Sequence, residues 1–254
     1  MKQFVLGVDL ASSSWSKNGN ALLGFDTGTR QWINAQTGVL NWPRKTISSD
    51  LMAETLNSFA LERKVAAMSL DGPQGWRDPA ASPTRKGVGR WCEFVCKTQG
   101  KTGCFGNTYP PNQVGWIAFT IRVFENLLSR PHIKLVNDPL QSRVNPPAAG
   151  QYYILECFPA SVWRQSGLDP LPGHRKAPPD VVERFSGDLA TAYGLPSQVM
   201  TRNHDDLQAV VGALPAAALL GGPCRAVAKG EPAQWVKTSS PPHWVEGLIW
   251  DAKP

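Results

Sequence analysis

Three continuous apolar runs punctuate the chain, and each ends in an acid. Residues 4–8 run into Asp9, residues 65–70 into Asp71, and residues 152–155 into Glu156. Unbroken runs of this length, in place of alternating ones, predict strands covered on both faces, as at the centre of an α/β sheet. Residues 20–35 carry two strand-like arms around Asp26-Thr27-Gly28-Thr29, which predicts a β-hairpin. Ser48 or Ser49 is placed to cap a helix through about Leu61, with Leu51, Leu56 and Phe59 on its apolar face.

Helical spacing returns at Val114, Ile117, Ile121, Phe124 and Leu128, which predicts a helix from about Gln113 to Ser129. Another is expected over 180–193. Asn203 is a good N-cap for a helix with Leu207, Val210, Val211 and Leu214 on one side. Pro215 is expected to end or kink that helix, because an interior proline costs roughly 3 kcal/mol. A last strand is expected around Gly247 to Trp250. Residues 165–179 form a polar, Pro-rich loop. With no internal repeat and no convincing linker, residues 1–254 read as one α/β domain with a basic, Gly/Pro-rich insertion at about 72–112.

Composition narrows this picture little. Apolar residues make up 42% and charged residues 18%, a globular balance. No run approaches the roughly 18 apolar residues that a membrane helix needs. The first apolar stretch is broken by Asp9, unlike a signal peptide, so a cytoplasmic protein is expected. Five cysteines in no framework spacing suit reduced thiols. Cys92, Cys96 and Cys104 lack both a paired C-x₂-C and a nearby histidine, which speaks against zinc. The net charge of +6 is compatible with a polyanionic partner and equally with a solvated basic surface. Within residues 85–101, Arg85, Lys86, Arg90, Lys97 and Lys101 interleave with Trp91 and Phe94, a mix that grips backbones and stacks bases.

The acids carry the chemistry. Parallel strands end along one edge of a sheet, where ligand sites lie. Carboxylates gathered there repel one another, and one would protonate unless a cation intervened. Mg²⁺ or Mn²⁺ takes carboxylate oxygens and keeps waters for substrate phosphates. The competing expectation is that each acid merely caps a helix or accepts turn amides. Three acids after three apolar runs, together with a helix opening His204-Asp205-Asp206, favour the metal site.

Gly7-Val8-Asp9-Leu10-Ala11, Asp71-Gly72-Pro73-Gln74-Gly75, Glu156-Cys157-Phe158-Pro159-Ala160 and His204-Asp205-Asp206-Leu207-Gln208-Ala209 occur in the order found in a known family. The chain resembles the predicted RNase H-fold nucleases known as domain of unknown function 429, and Glu246-Gly247-Leu248-Ile249 with Pro254 resembles that family's end. The resemblance spans nearly the whole chain. It implies an RNase H-like mixed sheet (β-strand, β-hairpin, helix, parallel strands) flanked by helices. It also implies metal-dependent phosphodiester hydrolysis on nucleic acid, although fold is not function.

By position, the resemblance makes Asp9, Asp71 and Glu156 strand-end ligands and catalytic residues, and Asp205 a helix-borne one. Lys176 and Arg184 would contact phosphate, and Arg90 and Glu93 would form a polar pair near it. One departure is Gln208, where RNase H-like helices often carry a second acid one turn after the first. Asp205 and Gln208 share a helix face, while Asp206 is turned by about 100° and is expected to face solvent.

Two rivals remain at this level. Asp26-Thr27-Gly28-Thr29 resembles the phosphate-gripping turn of actin-like or sugar-kinase-like phosphotransferases, but no second such turn follows. A non-catalytic nucleic-acid or protein binding module would share the basic segment and lack intact metal ligands. Histidine-based catalysis is disfavoured, because of four histidines only His204 lies near a motif and no Ser or Cys elbow accompanies it.

Overall fold

A computed structural model of the protein describes residues 1–80, 89–239 and 241–254. The chain begins with β1 (Lys2–Asp9), β2 (Gly19–Asp26) and β3 (Gln31–Thr37), then α1 (Ser49–Glu62) and β4 (Val65–Asp71). The Gly/Pro-rich excursion contains α2 (Trp91–Val95) and a small ladder of β5 (Lys101–Thr102) with β6 (Thr108–Tyr109). There follow α3 (Val114–Leu128), β7 (Ile133–Leu135), β8 (Tyr152–Cys157), α4 (Pro159–Gln165), α5 (Pro179–Tyr193) and α6 (His204–Leu219). The long strands β9 (Arg225–Val236) and β10 (His243–Lys253) close the order.

One mixed sheet runs β3-β2-β1-β4-β8-β10-β9. Strands β1, β4, β8 and β10 are parallel neighbours, while β2, β3 and β9 run antiparallel to theirs. The edge of β8 away from β4 is shared: β7 takes its first half, and β10 takes Glu156 and Cys157. Helices cover both faces. Leu6, Val8, Met68, Leu70 and Ile154 pack with the apolar residues of α1 and α3. Val5, Ala67 and Leu155 pack under α6.

Helix α6 is the centre of the second layer. Apart from Gln208, every residue from Leu207 to Leu219 is buried. Of the two outcomes expected at Pro215, an end or a kink, the end does not occur: the helix runs on to Leu219. Enclosure by the sheet and by α4 and α5 outweighs the roughly 3 kcal/mol that an interior proline costs.

The hairpin forms as expected, and its turn is no phosphate grip. Asp26 Oδ1 accepts from the Gly28 and Thr29 amides at 2.8 and 3.1 Å, so the turn's own acid occupies them. This turn also lies at the end of β1 remote from Asp9, since Lys2 pairs with Asp26 while Asp9 pairs with Gly19. Strand β9 carries Gly230 and Pro232 and no apolar run, which suits an edge strand and hides it from pattern reading. Among the described residues no helix is long and apolar enough to cross a membrane.

Candidate metal centre

Asp9 and Asp71 sit side by side, paired in register at the ends of β1 and β4. Residues in register on neighbouring strands point to the same face, here the face under α6. Two glycines let that helix descend onto the strands. A Cβ on Gly7 would lie 2.0 Å from the Ala209 carbonyl oxygen, and one on Gly19 would lie 1.9 Å from that of Asp205. Gly19 is the β2 partner of Asp9, so the close approach sets the first turn of α6 beside Asp9. The Asn203 side chain caps that turn by accepting from the Asp205 and Asp206 amides.

The electrostatics are those of crowded acids. Burial pushes the Asp9 carboxyl well above its ordinary range, and the charges of Asp71 and then Asp205 push it further. Asp71 is pushed up to about 7, by burial and then by Glu156. The contact between the two carboxyls pushes Asp9 further up and draws Asp71 down. Every influence resolved on Asp9 disfavours its charge.

Glu156 departs from expectation. It registers with Leu70, one residue short of Asp71, and Cys157 takes the place beside Asp71. Alternation therefore turns the Glu156 side chain to the opposite face. There it is answered by protein: Arg90 donates from Nη1 and Nη2 at 2.8 and 2.6 Å, and the Gln74 amide donates at 2.9 Å. Arg90 itself is not a surface phosphate contact. It is 1% exposed and also pairs with Glu93 at 3.1 Å. Glu156 and Arg90 form a buried, bidentate ion pair that lines the same cavity as Asp71.

The helix-borne residues also resolve. Asp205 is only partly exposed, its Oδ1 meets His174, and its charge is felt at Asp9. Asp206 is not solvated: it is partly buried and accepts from the Asn20 amide at 3.1 Å, which ties α6 to β2. Gln208 Oε1 accepts from the Trp163 indole at 3.0 Å, so α4 holds it. Lys176 is exposed on the turn of His174–Lys176, whose His174 contacts Asp205. Arg184 is exposed on α5, its guanidinium 5.6 Å from the Phe185 ring. Arg85 and Lys86 lie outside the described residues. Cys92 and Cys96 are buried thiols, and burial pushes both upward, Cys96 to about 12. Neither belongs to a metal-ligating group among the described residues.

Sequence reading missed two features. His174 Nε2 approaches Asp205 Oδ1 at 2.7 Å, and His204 Nδ1 approaches the same oxygen at 3.2 Å. Nothing in the polar loop singled out His174, because its role depends on loop placement. The second feature is a cavity of about 450 Å³ whose lining includes Asp71, Lys97, Trp116, Glu156 and Arg164. Its lining brings the carboxylates of Asp71, Glu93 and Glu156 together with lysine, arginine and an indole. Comparisons with protein families, with characterised proteins and with solved structures found no match.

Proposed function

We propose that the protein is a Mg²⁺- or Mn²⁺-dependent phosphodiesterase acting on nucleic acid, with Asp9, Asp71 and Asp205 as its metal ligands. The observation that carries this reading is the Asp9–Asp71 pair, two partly buried carboxyls held in register on neighbouring strands, each raising the cost of charge nearby. Glu156 is the contrast, since its charge is matched by Arg90. Carboxylate oxygens at a strand edge are a fitting donor set for a hard cation, which would lower the cost of holding both charges. When bound, such an ion supplies an activated water and stabilises the leaving oxygen of a phosphodiester.

The chain's own residues do the rest. Asp9 and Asp71 present oxygens from rigid strands, and Asp205 adds one from the first turn of α6. Lys97 and Arg164 face the neighbouring cavity and are suited to phosphate oxygens, while the Trp116 ring offers a base a stacking surface. The strand order β3-β2-β1-β4-β8, with the first three antiparallel and the rest parallel, supports an RNase H-like core and the proposed kinship with the family named above. Glu156 is assigned a structural place, and the ligand set is reduced to three acids.

The test is cleavage of labelled RNA, DNA and branched substrates with Mn²⁺ or Mg²⁺. Wild type should cleave at least one, and Asp9→Asn should abolish it while leaving the fold intact. Metal binding without cleavage across that panel would defeat the reading.

A further inference from the structure

The imidazoles beside Asp205 are not explained by a carboxylate site. His174 Nε2, His204 Nδ1 and an Asp205 oxygen all lie within 4.8 Å of one another. The two rings stack, with centroids 3.9 Å apart and planes inclined by 29°. The tautomer of His204 follows from its other side. Its Nε2 lies 3.0 Å from the Pro172 carbonyl oxygen, which can only accept, so Nε2 carries a hydrogen. That leaves Nδ1 as the nitrogen turned toward Asp205, whose oxygen lies 3.2 Å away. A histidine whose far nitrogen donates to a backbone carbonyl is the usual arrangement of a metal-ligating imidazole.

We propose that His174, His204 and Asp205 bind a late first-row divalent ion, with Zn²⁺ the best fit, at a second position that shares Asp205 with the centre proposed on Asp9 and Asp71. Two neutral nitrogens and one carboxylate suit zinc better than magnesium, which prefers an all-oxygen shell. Three protein ligands leave a fourth position for water or substrate, as in reactive rather than purely structural zinc sites. Tetrahedral ligands about 2.0–2.1 Å from zinc stand roughly 3.3 Å apart, so the contact of His174 with Asp205 must open by about half an ångström. His174 can provide this, because its side chain is 64% exposed on a short turn. Binding would fasten the 165–179 loop to the first turn of α6, and with it Lys176. The site stands whether or not the phosphodiesterase reading does.

Calorimetric titration of chelator-treated protein with Zn²⁺ tests this, in wild type, His174→Gln and Asp71→Asn. Wild type should bind one zinc at this site. Loss of an outer-shell partner alone weakens metal sites by about 10–100-fold, so His174→Gln should cost at least about 100-fold. Asp71→Asn should retain tight binding. Co²⁺ substitution should give visible bands without the thiolate charge transfer that cysteine ligands produce. No zinc uptake by wild type would overturn the site in favour of a protonated His204 paired with Asp205. Unchanged affinity in His174→Gln, loss confined to Asp71→Asn, or a thiolate band would overturn it equally, by moving the ion to other residues.

Discussion

At the scale of single residues, the decisive contrast is between two acids crowded against each other and an acid paired with a cation. Arg90 lies between Glu156 and Glu93, with both partners buried. Arg90→Met should therefore destabilise the fold by about 3–5 kcal/mol, because it leaves two carboxylates buried and unmatched. Chemical denaturation measures this; a loss under 1 kcal/mol would return Arg90 to the role of a dispensable phosphate contact. The Asp9–Asp71 pair behaves oppositely. Both carboxyls are raised above the ordinary 3.8 in the folded chain, Asp71 to about 7. Groups raised on folding contribute stability that is fully present below about pH 4 and lost as pH rises through 7. Metal-free wild type should thus lose stability relative to Asp71→Asn between pH 5 and 8. Mn²⁺ competes with the same protons, so its affinity should climb across pH 6 to 8 in wild type. Flat affinity on calorimetric titration would place the metal elsewhere. The apolar runs made Asp9 and Asp71 legible as a pair. The face that Glu156 occupies was not legible, because an acid after an apolar run says nothing about strand parity, and one residue of register decides it.

Among elements, the site depends on how closely α6 approaches β1 and β2. Neither packing nor propensity alone sets this distance; the absence of a Cβ at Gly7 and Gly19 does. Gly19→Ala would put a methyl group 1.9 Å from the Asp205 carbonyl oxygen, so the first turn of α6 must lift. The expected result is a stability loss of about 1–3 kcal/mol, typical of overpacking, together with weaker Mn²⁺ binding. Gly115→Ala in α3 is the control, since a Cβ there meets nothing within 4 Å. It should be neutral or stabilise by up to about 1 kcal/mol. If Gly19→Ala leaves both readouts unchanged, the helix does not position the site. The helix itself was legible from Asn203 and the spacing of Leu207, Val210 and Leu214. Its passage through Pro215 was not, because that follows from burial on all sides. The Asp206 contact to Asn20 was hidden for a related reason: the helical wheel locates a side chain around its own axis and is blind to what stands opposite.

For the molecule as a whole, the net charge of +6 matters only through where the cations sit. Charge and aromatic content made a polyanionic partner thinkable from sequence, but they could not separate a solvated surface from a lined cavity. Lys97 and Arg164 line the cavity beside Asp71, and Trp116 closes part of it. Arg184 lies on α5 against Phe185 and is absent from that lining. At about 450 Å³ the cavity has the size of a small-ligand pocket, which suits an extruded or single-stranded end better than an intact duplex. A lysine that contacts one phosphate releases about 0.7 of a counterion when a single strand binds, and this contribution does not depend on base sequence. Lys97→Ala should accordingly weaken single-stranded oligonucleotide binding by a similar factor for every sequence. It should also flatten the plot of log affinity against log salt by about 0.7. Arg184→Ala should change neither quantity. Fluorescence anisotropy across a salt series, with Ca²⁺ present to limit cleavage, reads both. Equal effects of the two variants would mean that the strand follows the outer surface along α5, and the cavity would lose its place in substrate binding.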